Sequence, residues 1–291
     1  MRCSFPGDAR RHRRHASIGY DGPMSERVDL FYSTYGHFSD PVSRLIRRDT
    51  FGEDIGQNSW VTVDEYDRFI SWLGLSSSHH VLEIASGSGG PALYVARKVG
   101  CRVTGIDANE SGVATAARLI ADTAEAKRVR FMVSDANLSL PFERGFFDAL
   151  LCIDSMNHFP DRLEVLREWH RVLRDDHRAV FTDPVVITGP VTNDELALRS
   201  SIGLFLFAPP GINERLIEQA GFHLVSQEDV TGNAALVSGR WHRARETHRA
   251  SLLETEGEAR FEGLQRFFEA VHRLTTERRL SRIAYLVEKR G

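Results

Sequence analysis

Residues 81–91 read Val81-Leu82-Glu83-Ile84-Ala85-Ser86-Gly87-Ser88-Gly89-Gly90-Pro91, an apolar run that ends in a glycine-rich turn and opens a helical stretch. Glycines at such a turn let the backbone bend tightly and approach a ligand with no Cβ in the way. Proline suits a first helical turn, where its missing N–H costs nothing. Glu83 lies inside the apolar run, and a carboxylate there is costly unless it is paired; a cationic or amino-bearing ligand would benefit from it. Asp107 ends the next apolar run, where an acidic side chain can accept both hydroxyls of a ribose. Ser134-Asp135-Ala136 ends a third and precedes Leu140-Pro141-Phe142, and a polar side chain there can meet the exocyclic amine of a purine. Each feature alone has a plainer explanation. Glu83 could pair with a buried Lys or Arg, Asp107 could cap the following helix, and the turn could pass as an altered dinucleotide fingerprint. Their joint occurrence at successive strand ends is much harder to explain that way.

The elements that must position these residues alternate. Strand-like runs at 81–85, 101–106, 129–133, 147–153 and 178–182 are interleaved with helical stretches at 92–99, 111–121 and 162–173. That pattern predicts βαβ units and a parallel sheet with both faces covered. Upstream, a helix is expected from Ser25, another after Asp40-Pro41, a loop over 52–59, and a helix over 63–73 with Tyr66, Phe69, Ile70 and Leu73 on one face. Beyond Pro184 the alternation loosens. Residues 185–210 read as irregular, 213–220 as a helix stopped by Gly221, and 222–225 as a strand. Residues 239–276 read as helical and charged, and 283–287 as the last strand. Phe261, Leu264, Phe267, Phe268, Val271 and Leu274 form an apolar stripe at helical spacing.

The run 81–90, Asp107 and Asp135-Ala136 with Leu140-Pro141-Phe142 resemble the class I S-adenosylmethionine-dependent methyltransferases. Among them the chain looks most like the small-molecule group around the ubiquinone/menaquinone, sugar and amine methyltransferases. The resemblance is strongest over about 81–183. It implies an α/β fold: a doubly wound, seven-stranded, Rossmann-like sheet in the order 3-2-1-4-5-7-6, with helical lid additions. It also implies S-adenosylmethionine as cofactor, with S-adenosylhomocysteine as product. Carried over by position, Glu83 lies near the methionine amino group, and Ala85 and Gly87 pass under the methionine–ribose portion. Asp107 takes the ribose diol, with Ala108 beside it. Asp135 and Ala136 border adenine, and Ile153 offers backbone near the methionine moiety. The family usually has glycine where this chain has Ala85.

Methyl transfer asks for an in-line nucleophile held at near-attack distance, and a neutral hydroxyl or ammonium acceptor must also lose a proton. The exit of the fourth strand reads Cys152-Ile153-Asp154-Ser155-Met156-Asn157-His158. His158 is the best base candidate there, because its ordinary pKa lies near neutrality. In the sugar O-methyltransferases that this segment resembles, a His and an Asp at these positions act on the acceptor. Asp183 is therefore the candidate to orient His158 or bind the acceptor. Asp154 is a weaker alternative, and local structure is the plainer role for a histidine after strand four. Tyr32, Tyr35, Asn58 and Trp60 upstream, together with Asp154, are the acceptor-binding candidates. Downstream, 200–210 and the helices beyond 240 could complete a lid, with Trp241 lining an apolar acceptor pocket. Ordinary core packing is the competing explanation for these aromatics.

Composition narrows the class. Of 291 residues, 37 are Lys or Arg and 40 are Asp or Glu, a net charge of −3. No global basic field exists to draw in nucleic acid, and no apolar run approaches the ~20 residues that span a bilayer. Cys3, Cys101 and Cys152 show no metal-ligand spacing and cannot form a closed disulfide set, so no metal and a reducing, cytoplasmic setting are expected. The basic run Arg10–Arg14 falls in a segment without apolar periodicity. The expected organisation is a disordered basic tail over 1–23, an N-terminal helical lid over 24–75, and a cofactor-binding core over 76–291 with a helical lid insertion at about 233–279. The expected function is methyl transfer from S-adenosylmethionine to an O or N atom of a small, partly apolar metabolite, of natural-product type, by a monomer or homodimer. The rivals are a C-methyltransferase, an enzyme that keeps S-adenosylmethionine as a scaffold for cyclisation or decarboxylation, and a non-catalytic partner subunit.

Overall fold

The computed structural model describes Tyr35 and residues 37–291. The expected basic tail, the helix from Ser25 and Tyr32 lie outside the described residues. Seven strands form one sheet in the order β3-β2-β1-β4-β5-β7-β6: β1 His80–Ile84, β2 Arg102–Asp107, β3 Val129–Val133, β4 Phe147–Cys152, β5 Leu173–Ile187, β6 His223–Asp229 and β7 Leu280–Lys289. The first five run parallel, and β7 is antiparallel to both β5 and β6. This is the doubly wound order the resemblance implies.

The central strands are apolar because helices cover both faces. Every residue of β1 and β4 is buried. One face packs Leu82, Ile84, Leu150, Phe181 and Tyr285 under Trp169 of the helix Arg162–Val172. The other packs Val81, Val103, Ala149 and Val180 under Tyr66, Phe69 and Ile70 of Val63–Leu73 and Leu93 of Gly90–Val99. Between β6 and β7 the chain makes three helices, Thr231–Thr247, Arg249–Glu256 and Glu258–Thr276. The break at Gly257, whose φ is +77°, divides what the sequence suggested was one helical stretch. The predicted stripe is the buried face of the last of these helices. Phe261, Phe267 and Phe268 pack there with Trp60, Trp241 and Phe51 in a third apolar cluster.

Residues 185–210 depart from the irregular segment expected. β5 continues to Ile187 across a register shift between Asp183 and Val186, where Pro184 has no N–H to give the ladder. A short helix, Asn193–Arg199, follows. Thr192 and Glu195 close a capping box at its start. Glu195 also accepts from Arg279 at 2.7 and 2.8 Å, tying this helix to the turn before β7.

Candidate functional site

One cavity of about 340 Å³ opens where the strand order reverses, between β1 and β4. Sheets of this kind present ligand sites at the carboxyl ends of their strands at such a point. The loops after β1, β2, β3 and β4 supply one half of its wall. Trp60, Arg199, Phe205, Trp241, Phe267 and Phe268 supply the other.

In the first half, the turn after β1 runs through Ala85 with φ +56°, Gly87 with φ +52° and Gly89 with φ +80°. An alanine in the left-handed region costs of order 1 kcal/mol or more relative to an unstrained residue. The loop is held open by its partners. Asp107, the last residue of β2, accepts the Gly87 N–H on Oδ2 and the Asn109 N–H on Oδ1, both at 2.8 Å. The cap of the next helix is Asn109, so Asp107 is left to pin the glycine turn and line the cavity. Burial raises its pKa, against those two backbone donors. A side chain at Gly90 would overlap the Ile55 carbonyl oxygen, so only glycine lets the loop 52–62 lie against the turn.

Glu83 is buried under this turn. Its Oε1 accepts from the Tyr66 hydroxyl at 2.9 Å. Its Oε2 is buried with no hydrogen-bond partner. Burial, with the nearby Asp107 charge, pushes the Glu83 pKa up to about 8, against the Tyr66 hydrogen bond. A carboxylate oxygen orphaned at a cavity wall fits a ligand bringing a cationic donor to that point. Asp107 retains lone pairs for hydroxyls. The residues present therefore fit an amino acid joined to a nucleoside. Ala108, Asp135, Ala136 and Ile153 also line the cavity. Asp135 stands exposed at its rim and accepts the Asn137 N–H at 2.9 Å.

In the second half, His158 is half-buried on a short helical turn, Met156–His158. Its Nδ1 lies 2.8 Å from the Leu204 carbonyl oxygen. A carbonyl can only accept, so Nδ1 carries the proton and Nε2 is the basic nitrogen, which accepts from Asn157 Nδ2 at 3.3 Å. Burial lowers the His158 pKa; the Leu204 carbonyl opposes this, and the Arg199 charge adds to it. His158 is thus a neutral base near neutrality. Its ring also meets Phe205 edge-on at 4.9 Å.

Of the two acidic candidates, Asp154 lines the cavity, whereas Asp183 is not among the lining residues. Asp183 is fully buried and accepts from Arg162 Nη1 at 2.6 Å, Asn213 Nδ2 at 2.8 Å and the Val185 N–H at 3.2 Å. Arg162 Nη2 in turn donates to the Leu206 carbonyl at 2.6 Å. Asp183 thus anchors an arginine that straps the 200–210 segment, and the imidazole is oriented by Leu204 of that same segment. The reason is local: the Asp183 carboxylate is turned toward the opening helix of Arg162. Asp154, with φ +55°, accepts the Trp60 N–H at 2.8 Å, Thr182 Oγ1 at 2.7 Å and Arg282 Nε at 2.6 Å. Arg282 is itself fully buried and donates to Glu65 at 2.5 Å. Asp154 is therefore the anchor of a buried Glu65–Arg282–Asp154 network that fixes the Trp60 loop, and its oxygens are already engaged when an acceptor arrives. Tyr35, Asn58, Trp60 and Trp241 all line the cavity. Trp60 and Trp241 meet edge-on at 6.1 Å, and Trp241 stacks on Phe268 at 4.8 Å.

Sequence reasoning missed three contributors. Tyr66 was one of a row of apolar helix positions, Arg282 an unremarked arginine in the last strand, and Arg199 a residue in an apparently irregular segment. For Arg199 a signal existed, since Thr192-Asn193-Asp194-Glu195 is a capping-box spacing that announces a helix.

A family profile described as a methyltransferase domain matches residues 81–176. Methyltransferase GfsG of Streptomyces halstedii is 29% identical over 220 residues, covering 70% of this chain and 77% of the relative. The 27-O-demethylrifamycin SV methyltransferase of Amycolatopsis mediterranei is 29% identical over 209 residues, covering 68% and 75%. Relatives of similar identity include N- and C-methyltransferases. Among solved structures, the cyclopropane synthase MmaA2 from Mycobacterium tuberculosis matches with a TM-score of 0.77 at 17% identity, over 93% of this chain and 100% of that one. That likeness bears on the fold. With the strand order and the cavity at its switch point, the matched methyltransferase domain and these relatives support a class I S-adenosylmethionine-dependent methyltransferase.

Proposed function

We propose that this enzyme methylates an O or N atom of a small, partly apolar metabolite of natural-product type. The observation that carries this reading is a neutral histidine, His158, set across one cavity from the orphaned carboxylate oxygen of Glu83 and facing an aromatic wall. S-adenosylmethionine supplies a methyl group already activated by its sulfonium charge. Glu83 holds the ammonium end of the cofactor, and Asp107 holds the ribose hydroxyls. Ala85 and Gly87 let the backbone approach from below. Ala108, Asp135 and Ala136 border the adenine, and Ile153 offers backbone near the methionine end. His158 Nε2 takes the proton from the acceptor hydroxyl or amine. Trp60, Trp241 and the helices within 233–279 exclude water and position the acceptor, with Tyr35 and Asn58 closing the upstream side. One of the relatives described above is named as a methyltransferase of 27-O-demethylrifamycin SV, which favours a natural-product acceptor.

Asp107→Ala tests the cofactor half. Charge-assisted hydrogen bonds contribute roughly 1.5–3 kcal/mol each, and this variant also frees the Gly87 N–H. Calorimetric titration should show S-adenosylmethionine binding at least ~10-fold weaker. Unchanged affinity would remove Asp107 from the site.

A further inference from the structure

Arg199 is the last residue of its helix and is 2% exposed. It lines the cavity on the acceptor side. Its guanidinium carbon lies 4.5 Å from the centroid of Phe205, 5.3 Å from Phe267 and 5.8 Å from Trp60. Aromatic faces attract a cation, but they accept none of its five N–H donors in the way an oxygen does. Among the described residues it has no hydrogen-bond or carboxylate partner, and Nη1 is a buried orphan. Asp154 and Asp183 are close enough to act on it electrostatically. Both are already engaged, Asp154 by Arg282, Thr182 and Trp60, and Asp183 by Arg162 and Asn213. The neighbouring arginines have these carboxylates as partners and Arg199 does not. Burial without a partner lowers its pKa to about 9.

A buried, unpaired charge is among the most costly arrangements a fold can hold. The helix that carries it is nonetheless fixed firmly, by its capping box and by the Arg279–Glu195 pair. His158 and Arg199 flank the same Phe205 ring, so one small molecule can meet both.

We propose that the methyl acceptor is a carboxylate-bearing apolar molecule whose carboxylate is received by Arg199 while its nucleophilic hydroxyl or amine faces His158. A guanidinium fork matches a carboxylate in a planar, two-point geometry, and the aromatic wall around it takes the apolar body. The proposal rests on reading this half of the cavity as the acceptor site.

The test uses the full chain loaded with S-adenosylhomocysteine and two probes of one shape, benzoate and benzamide, followed by saturation-transfer NMR up to millimolar concentrations. Wild type should bind benzoate at least ~10-fold more tightly than benzamide. Arg199→Met should lose that preference, and Arg199→Lys should keep part of it. Titration of S-adenosylhomocysteine into Arg199→Met should give wild-type affinity, showing that the variant is folded and the cofactor half intact. Equal binding of the two probes to wild type would overturn the proposal, as would no binding of either or a benzoate preference that survives in Arg199→Met. Those results would leave Arg199 as an aromatic-packed structural residue. Failure of wild type to bind S-adenosylhomocysteine would instead strike at the cofactor reading.

Discussion

His158→Ala is expected to lower turnover by roughly 10²–10⁴-fold, the contribution of a positioned general base, with S-adenosylmethionine affinity nearly unchanged. The imidazole borders the acceptor half of the cavity, away from Glu83 and Asp107. The pH dependence gives the sharper reading. A base works only when unprotonated, so the wild-type single-turnover rate should rise with pH through one ionisation. Burial and the Arg199 charge place that ionisation below the ordinary histidine value of about 6.5. The rate should therefore level off at a lower pH than it would with an unperturbed histidine, and the mutant should lack the step. A variant within threefold of wild type from pH 5 to 8 would mean that the acceptor loses its proton to water and that the enzyme works by proximity alone.

Asp183→Asn should act on stability first. It keeps the shape but removes the negative charge from a fully buried site, leaving Arg162 as a buried cation without its partner. Breaking one side of such a pair costs about 3–5 kcal/mol, which in a domain of this size lowers the melting temperature by roughly 6–20 °C. Turnover should fall as well, because Arg162 holds the Leu206 carbonyl and Leu204 of the same segment orients His158. Had Asp183 oriented the imidazole itself, the variant would lose turnover and keep its melting temperature. Differential scanning calorimetry beside single-turnover kinetics separates the two roles.

The cofactor half was legible from the sequence because its residues come from short loops at fixed offsets from strands. Strand ends can be read from apolar runs, and the side chain that follows each one points into the switch-point crevice. Glu83 and Asp107 line the cavity for that reason. The acceptor half was not legible, because its geometry depends on pairings across long separations. Asp154 and Asp183 stood at the right strand ends. What they bind was decided by Arg282, 128 residues beyond the first, and by Arg162, which opens a helix on the same face as the second. No local pattern reports which buried arginine a carboxylate will choose. Arg199 was hidden for another reason. Residues 185–210 look irregular because Gly and Pro interrupt the apolar pattern, while the helix inside them is only seven residues long and is announced by its cap alone.

The most direct measurement is the proton balance of cofactor binding. With its pKa at about 8, Glu83 is mostly protonated at pH 7 before any ligand enters. An ammonium brought to its orphaned Oε2 favours the charged form, so Glu83 must release its proton as the site fills. Titrating S-adenosylhomocysteine into the protein at pH 7, in buffers of different ionisation enthalpy, should show one-to-one binding with release of about one proton. The release should disappear at pH 9.5, where Glu83 is already ionised, and should be absent at pH 7 in Glu83→Gln, which should also bind more weakly. Binding with no proton release in wild type, or the same release in Glu83→Gln, would contradict the placement of the cofactor in this cavity.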